Sequence, residues 1–297
     1  MAIVIDRQLP AFSALLSEGF QVRDKAETMP DISIGLINLM PLKDETEKDF
    51  MRIIAPACGN IGIELINMTT HRRSRNTPQE HIDRFYTDFS SVADHIDGVI
   101  VTGAPLEDVA FEDVDYWREI TSIFDVLHSR STPTFYVCWG AFAALWHWWR
   151  IPMKHFKRKI SGIFPGKVLT PDSPLLQGIA DRFDIPVSRY VSWSDHDIES
   201  AHGLIPLTYN PEAGYFLLES ASHLEWFMTG HGEYNRLTLH NEYVRDLGRG
   251  LDPHIPDNYY PADDPEADPR DRWSETARQM ISNWLGVVSN AKLNKGK

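Results

Sequence analysis

The chain has 297 residues, of which 42 % are hydrophobic and 24 % are charged, a composition typical of a globular protein with a large buried core. The formal net charge of −13 argues against general binding to nucleic acid or to anionic membranes. No apolar run approaches the roughly 18 residues of a membrane span, and the two cysteines, Cys58 and Cys138, make no disulfide framework. These features predict a reduced cytoplasmic protein without a signal peptide or a membrane segment.

Strand-like and helix-like stretches alternate through the first half of the chain. The predicted strands are residues 32–39, 62–66 and 97–105, and the predicted helices are residues 43–57, 79–94 and 115–129. Such alternation predicts an α/β fold, with βαβ units, a mostly parallel sheet and helices on both faces. Residues 1–31 are predicted to form an N-terminal arm packed on a single domain of residues 32–297.

The stretch Thr134–Ala141 begins with a short run of β-branched and aromatic residues, which is followed by Cys138. An apolar helix is predicted directly after it, at residues 141–149. Cys138 is therefore predicted at a strand-to-helix turn, where the helix N-terminus offers free N–H groups and a positive dipole end. Both effects favour a thiolate, the nucleophilic form of cysteine. This stretch alone leaves a buried, unreactive cysteine as an open alternative.

A second candidate follows a predicted hairpin, residues 214–219 and 225–230. His231 comes directly after the second hairpin strand, and Glu233 lies two residues on, on the same side of an extended chain. A cysteine nucleophile needs a base and a group that orients the base, and these two residues are candidates for those roles. Because the chain has 12 histidines, a structural or surface histidine is the alternative. The remaining predicted elements are strands or loops at residues 161–169 and 186–193, and helices at residues 237–247 and 273–287.

Several motifs stand in order along the chain. They are Asn38-Leu-Met-Pro41, Val101-Thr-Gly-Ala-Pro105, Val137-Cys-Trp-Gly140, Ser188-Arg-Tyr190, Gly230-His-Gly-Glu-Tyr234 and Gly250-Leu-Asp-Pro253. Together they resemble the homoserine O-acyltransferase family, the homoserine transsuccinylases of methionine biosynthesis, over residues 32 to 287. The resemblance implies a fold like the class I glutamine amidotransferases, which is flavodoxin-like with a cysteine elbow, and a homodimer. It implies no metal and no bound cofactor, and an acyl-CoA as co-substrate.

The same resemblance implies roles for individual residues. Cys138, His231 and Glu233 would form a catalytic triad that works by a ping-pong, acyl-cysteine mechanism. Backbone N–H groups of Trp139 and of the Gly103–Ala104 turn would hold the oxyanion. The residues that correspond to substrate-binding positions of the family are Lys43, Lys159, Ser188 and Arg245. Arg245 would bind the α-carboxylate of the acceptor.

Glu107 is predicted to decide the acyl donor. The family has glycine here in succinyl-transferring members and glutamate in acetyl-transferring ones, and a glutamate would repel the free carboxylate of a succinyl group. The predicted function is therefore acetyl transfer from acetyl-CoA to the side-chain hydroxyl of L-homoserine, giving O-acetyl-L-homoserine for methionine biosynthesis. Succinyl transfer to homoserine, acetyl transfer to serine on a route to cysteine, and a glutamine or γ-glutamyl amidase are the alternatives.

Three positions depart from the usual family pattern. Phe142 stands where glutamine is common, Val187 where histidine is common, and Gly232 where proline is usual. They leave the choice between homoserine and serine open. The two basic clusters, residues 71–75 and 154–159, are the candidate contacts for the phosphates of coenzyme A.

Overall fold

The computed structural model describes residues 2–57, 59–71 and 76–295. These residues form one sheet of twelve strands, most of which run parallel. The parallel part has the order β2 (Val22–Asp24), β1 (Ala2–Ile5), β4 (Asn60–Asn67), β3 (Ile32–Ile37), β6 (Gly98–Val101), β7 (Thr134–Val137) and β12 (Glu225–Met228). A short strand, β5 (Tyr86–Asp88), also pairs in parallel with β4.

The sheet continues beyond β12 as an antiparallel region. Its strands are, in order, β11 (Gly214–Ser220), β10 (Leu204–Asn210), β8 (Lys154–Val168) and β9 (Arg182–Ser192). The β11–β12 pair confirms the hairpin predicted from the sequence. Because β12 is antiparallel to β11 and parallel to β7, it joins the two parts of the sheet.

Helices cover both faces of the sheet, and each face has its own apolar core. One core includes Phe50 of α2 (Lys43–Ile54) and Trp284 of α9 (Ser274–Lys295), together with side chains of α1 (Pro10–Ser17). The other includes Phe124 of α5 (Trp117–Ser129) and Leu145 of α6 (Trp139–Trp149). The remaining α-helices of the described residues are α3 (Gln79–Phe85), α4 (Phe89–Val92), α7 (Asp195–Ser200) and α8 (Thr238–Gly248). The predicted fold class, a mostly parallel sheet between helical layers, is confirmed.

The N-terminal segment takes part in the sheet. Within residues 1–31, predicted as an arm, residues 2–24 supply β1, α1 and β2, and β1 lies between β2 and β4 with fully buried side chains. The segment therefore extends the parallel sheet at its edge, and the division of the chain at residue 31 stays a prediction.

Among the elements that differ from the sequence prediction, two have a clear physical cause. The helix predicted over residues 79–94 is interrupted by β5, because the Tyr86 hydroxyl is drawn inward to hydrogen-bond the buried Glu47 carboxylate and the chain there pairs with β4. Strand β10 is absent from the prediction. It contains Pro206, which weakens a strand pattern because proline lacks an N–H donor, and the pairing of β10 with β11 is irregular from this residue onward.

Candidate active site

Cys138 lies at a sharp turn between β7 and α6. Its backbone has φ 49° and ψ −117°, a conformation that L-residues rarely adopt and that costs on the order of 1–3 kcal/mol. The turn is held from both sides, since the Cys138 N–H donates to the Met228 carbonyl at 2.7 Å and the Cys138 carbonyl accepts from the Phe142 N–H at 3.1 Å. The strained turn lifts the half-buried thiol above the carboxyl edge of the sheet.

The backbone beside the thiol belongs to the Gly103–Ala104 turn, which follows β6. A Cβ atom placed on Gly103 would lie 3.1 Å from the Cys138 Cβ and 3.7 Å from the Trp139 nitrogen, so this turn packs directly on the nucleophile. Trp139 is the first residue of α6, and its N–H therefore has no acceptor within the helix. The structure thus brings the two predicted oxyanion positions, Trp139 and Ala104, to one side of Cys138, and their role stays a prediction.

His231 and Glu233 meet as the sequence predicts. The His231 Nδ1 lies 2.7 Å from the Glu233 Oε1, and the Tyr234 ring stacks on the imidazole at 4.3 Å between centroids. The Cys138 side chain lies close enough to the imidazole to act on its pKa. The His231 N–H donates to the Pro186 carbonyl at 2.8 Å. These contacts fix the position of the imidazole and hold it between the thiol and the carboxylate.

The surroundings of His231 favour its protonated form. Burial alone would lower the pKa of this imidazole, but Glu233 and Cys138 on either side outweigh burial and raise the pKa well above its ordinary value. A protonated imidazole is a cation beside the sulfur, which is the kind of neighbour that reactive cysteines have. The resting site is therefore set up for nucleophilic attack by sulfur.

Sheet topology explains why cysteine and histidine come together. In the parallel pair β7–β12, Met228 lies opposite Val137, so the residues that follow both strands emerge at the same edge of the sheet. Ligand sites of open α/β sheets are found at this edge.

A second carboxylate, absent from the sequence prediction, connects the triad to two predicted binding residues. Glu242 of α8 accepts hydrogen bonds from Lys159 at 2.9 Å, from the Tyr234 hydroxyl at 3.0 Å and from the Ser188 hydroxyl. Burial would raise the pKa of Glu242, but Lys159 and Ser188 outweigh burial and hold the pKa below its usual value. Lys159 and Ser188 thus lie on the side of His231 covered by Tyr234, gathered around an ionised carboxylate.

Arg245 lies on the same helix but points to a different partner. Its guanidinium contacts Asp246 at 2.8 and 2.9 Å, and its side chain is 47 % exposed. Glu242 could have been predicted from the sequence. It precedes the predicted substrate-binding residue Arg245 by three positions, and residues three apart on a helix share a face. Glu242 and Arg245 place a carboxylate and a guanidinium on one helix beside the triad.

Lys43 lies apart from the Glu242 cluster, in a cleft of about 430 Å³. This strand-end cleft is lined by residues that include Asn38, Lys43, His71, Ala104, Asp115 and Tyr116. Ala104 follows Gly103, which packs on Cys138, so one wall of the cleft is the turn that borders the nucleophile. Lys43 is 5 % exposed, and burial lowers the pKa of its ammonium to about 8, although Glu47 acts in the opposite direction.

Glu107 lies outside the strand-end cleft. It lines a neighbouring cleft of about 240 Å³ with Trp146, Met153 and His155, and Val109 lines both clefts. The half-buried position of Glu107 is consistent with a ligand-facing residue as well as with a solvated one. Its role in donor choice stays a prediction.

The described residues also bear on a metal site, a membrane-spanning helix and the two basic clusters. Within residues 2–57, 59–71 and 76–295, no three His, Cys, Asp or Glu side chains gather in a metal-binding arrangement, and no helix is long and apolar enough to cross a membrane. Of the two basic clusters, residues 72–75 lie outside the described residues, as does Cys58. In the other cluster, Lys157 and Arg158 line a cleft of about 210 Å³ with Tyr190 and Tyr243.

The family described as homoserine O-succinyltransferase matches residues 2–293. The chain belongs to this family. A homoserine O-acetyltransferase from Desulfovibrio desulfuricans is 42 % identical over 290 residues, which cover 96 % of this chain and 92 % of the relative. One from Bacteroides fragilis is 40 % identical, with 96 % and 95 % covered. A homoserine O-succinyltransferase from Aliivibrio fischeri is 39 % identical, with 96 % and 92 % covered. The resemblance inferred from the motifs is confirmed.

Solved structures agree on the fold. A glutamine amidotransferase from Thermotoga maritima has a TM-score of 0.58 at 9 % identity and covers 87 % of this chain and 98 % of its own. A glutamine amidotransferase from Methylobacillus flagellatus has a TM-score of 0.53 at 10 % identity, with 86 % and 94 % covered. These similarities confirm the predicted glutamine amidotransferase-like fold and, at such identities, concern the fold alone.

Proposed function

We propose that the protein transfers an acetyl group from acetyl-CoA to the side-chain hydroxyl of L-homoserine, as the names of its relatives from Desulfovibrio and Bacteroides suggest. The observation that carries the proposal is the contact of Cys138, His231 and Glu233 at a strained strand-to-helix turn. This arrangement suits an enzyme that stores an acyl group on sulfur.

The reaction has two half-reactions. The Cys138 thiolate attacks the thioester carbonyl, a bond forms between Sγ and the acyl carbon, and the bond to the sulfur of coenzyme A breaks. The leaving thiolate takes the proton of His231 and departs as free coenzyme A. The neutral imidazole then takes the proton of the acceptor hydroxyl as its oxygen attacks the acyl carbon, and the Cys138 thiolate is released.

During both steps negative charge develops on the carbonyl oxygen. The N–H groups of Trp139 and of the Gly103–Ala104 turn lie on one side of Cys138 and are the donors we assign to this oxyanion. One such donor is typically worth about 3 kcal/mol in the transition state. No cofactor is needed for this chemistry, and acetyl-CoA is the co-substrate.

The acceptor is assigned to the side of the site that contains Glu242. A zwitterionic amino acid needs a cation for its carboxylate and an anion for its ammonium group, and α8 offers Arg245 and Glu242 one turn apart. To bind the carboxylate, Arg245 must share its guanidinium between the ligand and Asp246. Its half-exposed position leaves donors of the guanidinium fork for this purpose.

Replacing Arg245 by alanine should therefore raise the KM for the acceptor by roughly 10- to 100-fold, since a hydrogen bond to a charged group is lost. The KM for acetyl-CoA should not change. Steady-state kinetics with each substrate varied in turn measures both values. Arg249→Ala, an exposed arginine one turn further on, is the matched control, and an unchanged acceptor KM in Arg245→Ala would assign the arginine elsewhere.

The donor is assigned from Glu107. Replacing it by glycine should raise the ratio of kcat/KM for succinyl-CoA to that for acetyl-CoA, because two like charges 4 Å apart cost about 4 kcal/mol at an effective dielectric of 20. Asp108→Gly, the neighbouring exposed acid, is the control for a general change of charge. If the ratio does not move in Glu107→Gly, Glu107 does not face the acyl group.

All three departures from the family pattern are buried. Phe142 is 2 % exposed and packs on Trp193 at 5.0 Å between ring centroids, and Val187 is fully buried in the core. A Cβ atom on Gly232 would lie 3.0 Å from the Cβ of Ala277. None of the three is a triad member or a hydrogen-bond partner of Glu242. Homoserine is therefore proposed as the acceptor on the names of the relatives.

Release of coenzyme A by the purified protein, with acetyl-CoA or succinyl-CoA and with homoserine or serine, tests the proposed function. Acetyl-CoA with homoserine should be the fastest pair. Faster turnover with succinyl-CoA or with serine would reject the donor or the acceptor and keep the acyl-cysteine mechanism. Glutamine hydrolysis without any release of coenzyme A would reject acyl transfer. The homodimer and the cytoplasmic location stay predictions.

A further inference from the structure

Lys43 belongs to a buried polar network on α2, α3 and β5. Its ammonium group donates to the Asn38 carbonyl and lies 5.1 Å from the centre of the Tyr86 ring. Asn38 in turn donates through Nδ2 to the Lys43 carbonyl at 3.1 Å and to the Tyr86 hydroxyl at 2.9 Å. The ammonium is therefore held by Asn38 and Tyr86, and Lys43 lines the strand-end cleft.

The network ends at Glu47, one turn after Lys43 on the same face of α2. Glu47 is fully buried, and its Oε1 accepts from the Tyr86 hydroxyl at 2.6 Å and lies 2.8 Å from the His81 Nε2. The other oxygen, Oε2, is buried and has no hydrogen-bond partner among the described residues. A buried carboxylate is costly unless it is compensated by charge and hydrogen bonds, so its retention calls for a reason.

Tyr86 is shared by both charged groups, with its ring against the Lys43 ammonium and its hydroxyl on the Glu47 carboxylate. Burial and the Glu47 charge raise the pKa of Tyr86 well above its ordinary value, so it stays a hydrogen-bond donor to Glu47. Tyr86 thus holds the Glu47 carboxylate in place and links it to Lys43.

We propose that Glu47 is a positioning residue for Lys43, and that through Tyr86 and Asn38 it keeps the Lys43 ammonium charged and directed into the strand-end cleft beside Cys138. There the ammonium is placed to bind an anionic or carbonyl oxygen of the acyl donor, a role that rests on the proposed function. Removing the carboxylate leaves the lysine buried without its counter-charge, and burial then favours the neutral amine.

The groups that face Lys43 come from several elements. Besides Glu47, Tyr86 on β5 contacts the ammonium, and the His71–Asp115 pair lines the same cleft. His81 on α3 contacts Glu47, and Asp44 on α2 acts on Tyr86. Of these, Glu47 is the carboxylate that opposes the effect of burial on Lys43. Its removal is therefore expected to act on Lys43 directly, and it also removes the contacts of the same carboxylate with Tyr86 and His81.

The test is the pH at which Lys43 becomes reactive toward trace reductive methylation with formaldehyde, measured by peptide mass spectrometry. The midpoint in the unaltered protein is expected near the Lys43 pKa of about 8. Glu47→Gln should move the midpoint of Lys43 methylation to lower pH by roughly one unit. The alkaline limb of the pH profile of kcat/KM should move in the same direction. Glu45→Gln, an exposed acid of the same helix that pairs with Lys48, should leave the midpoint unchanged.

The conservative variant Glu47→Asp retains the charge, so its Lys43 midpoint should lie closer to that of the unaltered protein than the midpoint of Glu47→Gln does. It also provides the test if Glu47→Gln does not fold, because its shorter side chain retreats from Tyr86 and should lower the midpoint by less than one unit. A Lys43 midpoint equal to that of the unaltered protein in the folded Gln and Asp variants overturns the proposal. The methylation readout needs no substrate, so a failure of acyl transfer itself would reject the proposed function and leave this result standing.

Discussion

Replacing Cys138 by serine is expected to abolish the acyl-enzyme and to lower turnover by roughly 1,000-fold or more. A serine hydroxyl is much less acidic than a thiol and needs a free base to attack. In this site burial lowers the pKa of His231, and Glu233 is the first of the groups that raise it. This carboxylate remains in the serine variant, so the imidazole there is still biased toward its protonated form. The serine would therefore lack the acceptor that a less basic histidine provides.

Intact-protein mass spectrometry after incubation with acetyl-CoA measures the acyl-enzyme directly. The unaltered protein should gain the mass of one acetyl group in the absence of an acceptor, and addition of homoserine should remove it. Cys58→Ser is the matched control and should acetylate as the unaltered protein does. An acetyl group retained by Cys138→Ser, mapped to any residue of the site, would contradict the assignment of the nucleophile.

The local part of this site is readable from sequence. The run Thr134–Val137 is apolar and β-branched or aromatic, and the structure makes it β7 with the bounds that the pattern predicts. His231 and Glu233 are two residues apart, and their contact follows from local geometry. Such features depend on neighbours in the chain, so that residue type and spacing are enough to predict them.

The long-range part is not readable in this way. The contact between Cys138 and His231 depends on β12 pairing in parallel with β7, and the sequence predicts only the pairing of β12 with β11. The role of Glu242 depends on β8, β9 and α8 converging, because its partners Lys159 and Ser188 lie on different strands. The motif resemblance supplies these two partners where periodicity alone does not, and it does not supply Glu242, which lies in none of the motifs.

Tyr86 shows how tertiary contacts override a local pattern. The sequence of residues 79–94 has helical character throughout, yet the chain turns extended at Tyr86, with φ −101° and ψ 147°. The hydrogen bonds of its hydroxyl to Glu47 and from Asn38 satisfy buried polar groups that a continuous helix would leave without partners. The break in the helix thus belongs to the same network that holds Lys43.

Replacing Glu233 by glutamine is expected to lower kcat/KM by roughly 100-fold or more, with the chain still folded. Burial favours neutral imidazole, and Glu233 is the first of the groups that oppose it. Without this carboxylate the pKa of His231 falls, so the proton is lost at lower pH and the imidazolium no longer stabilises the Cys138 thiolate near neutral pH. The loss of kcat/KM in Glu233→Gln, relative to the unaltered protein, should therefore increase as the pH rises from acid to neutral.

The imidazole signal of His231, followed by NMR against pH, measures this shift, and its midpoint should move to lower pH in Glu233→Gln. The chain offers a matched control, because Glu225, at the other end of β12, pairs with His128 at 2.5 Å in a similar way. Glu225→Gln also removes a buried carboxylate beside a histidine, yet kcat/KM per folded molecule should stay near that of the unaltered protein. Equal losses of kcat/KM in the two variants would mean that Glu233 acts only through the stability of the fold. A carboxylate that orients and charges the catalytic base should instead change activity while the chain stays folded.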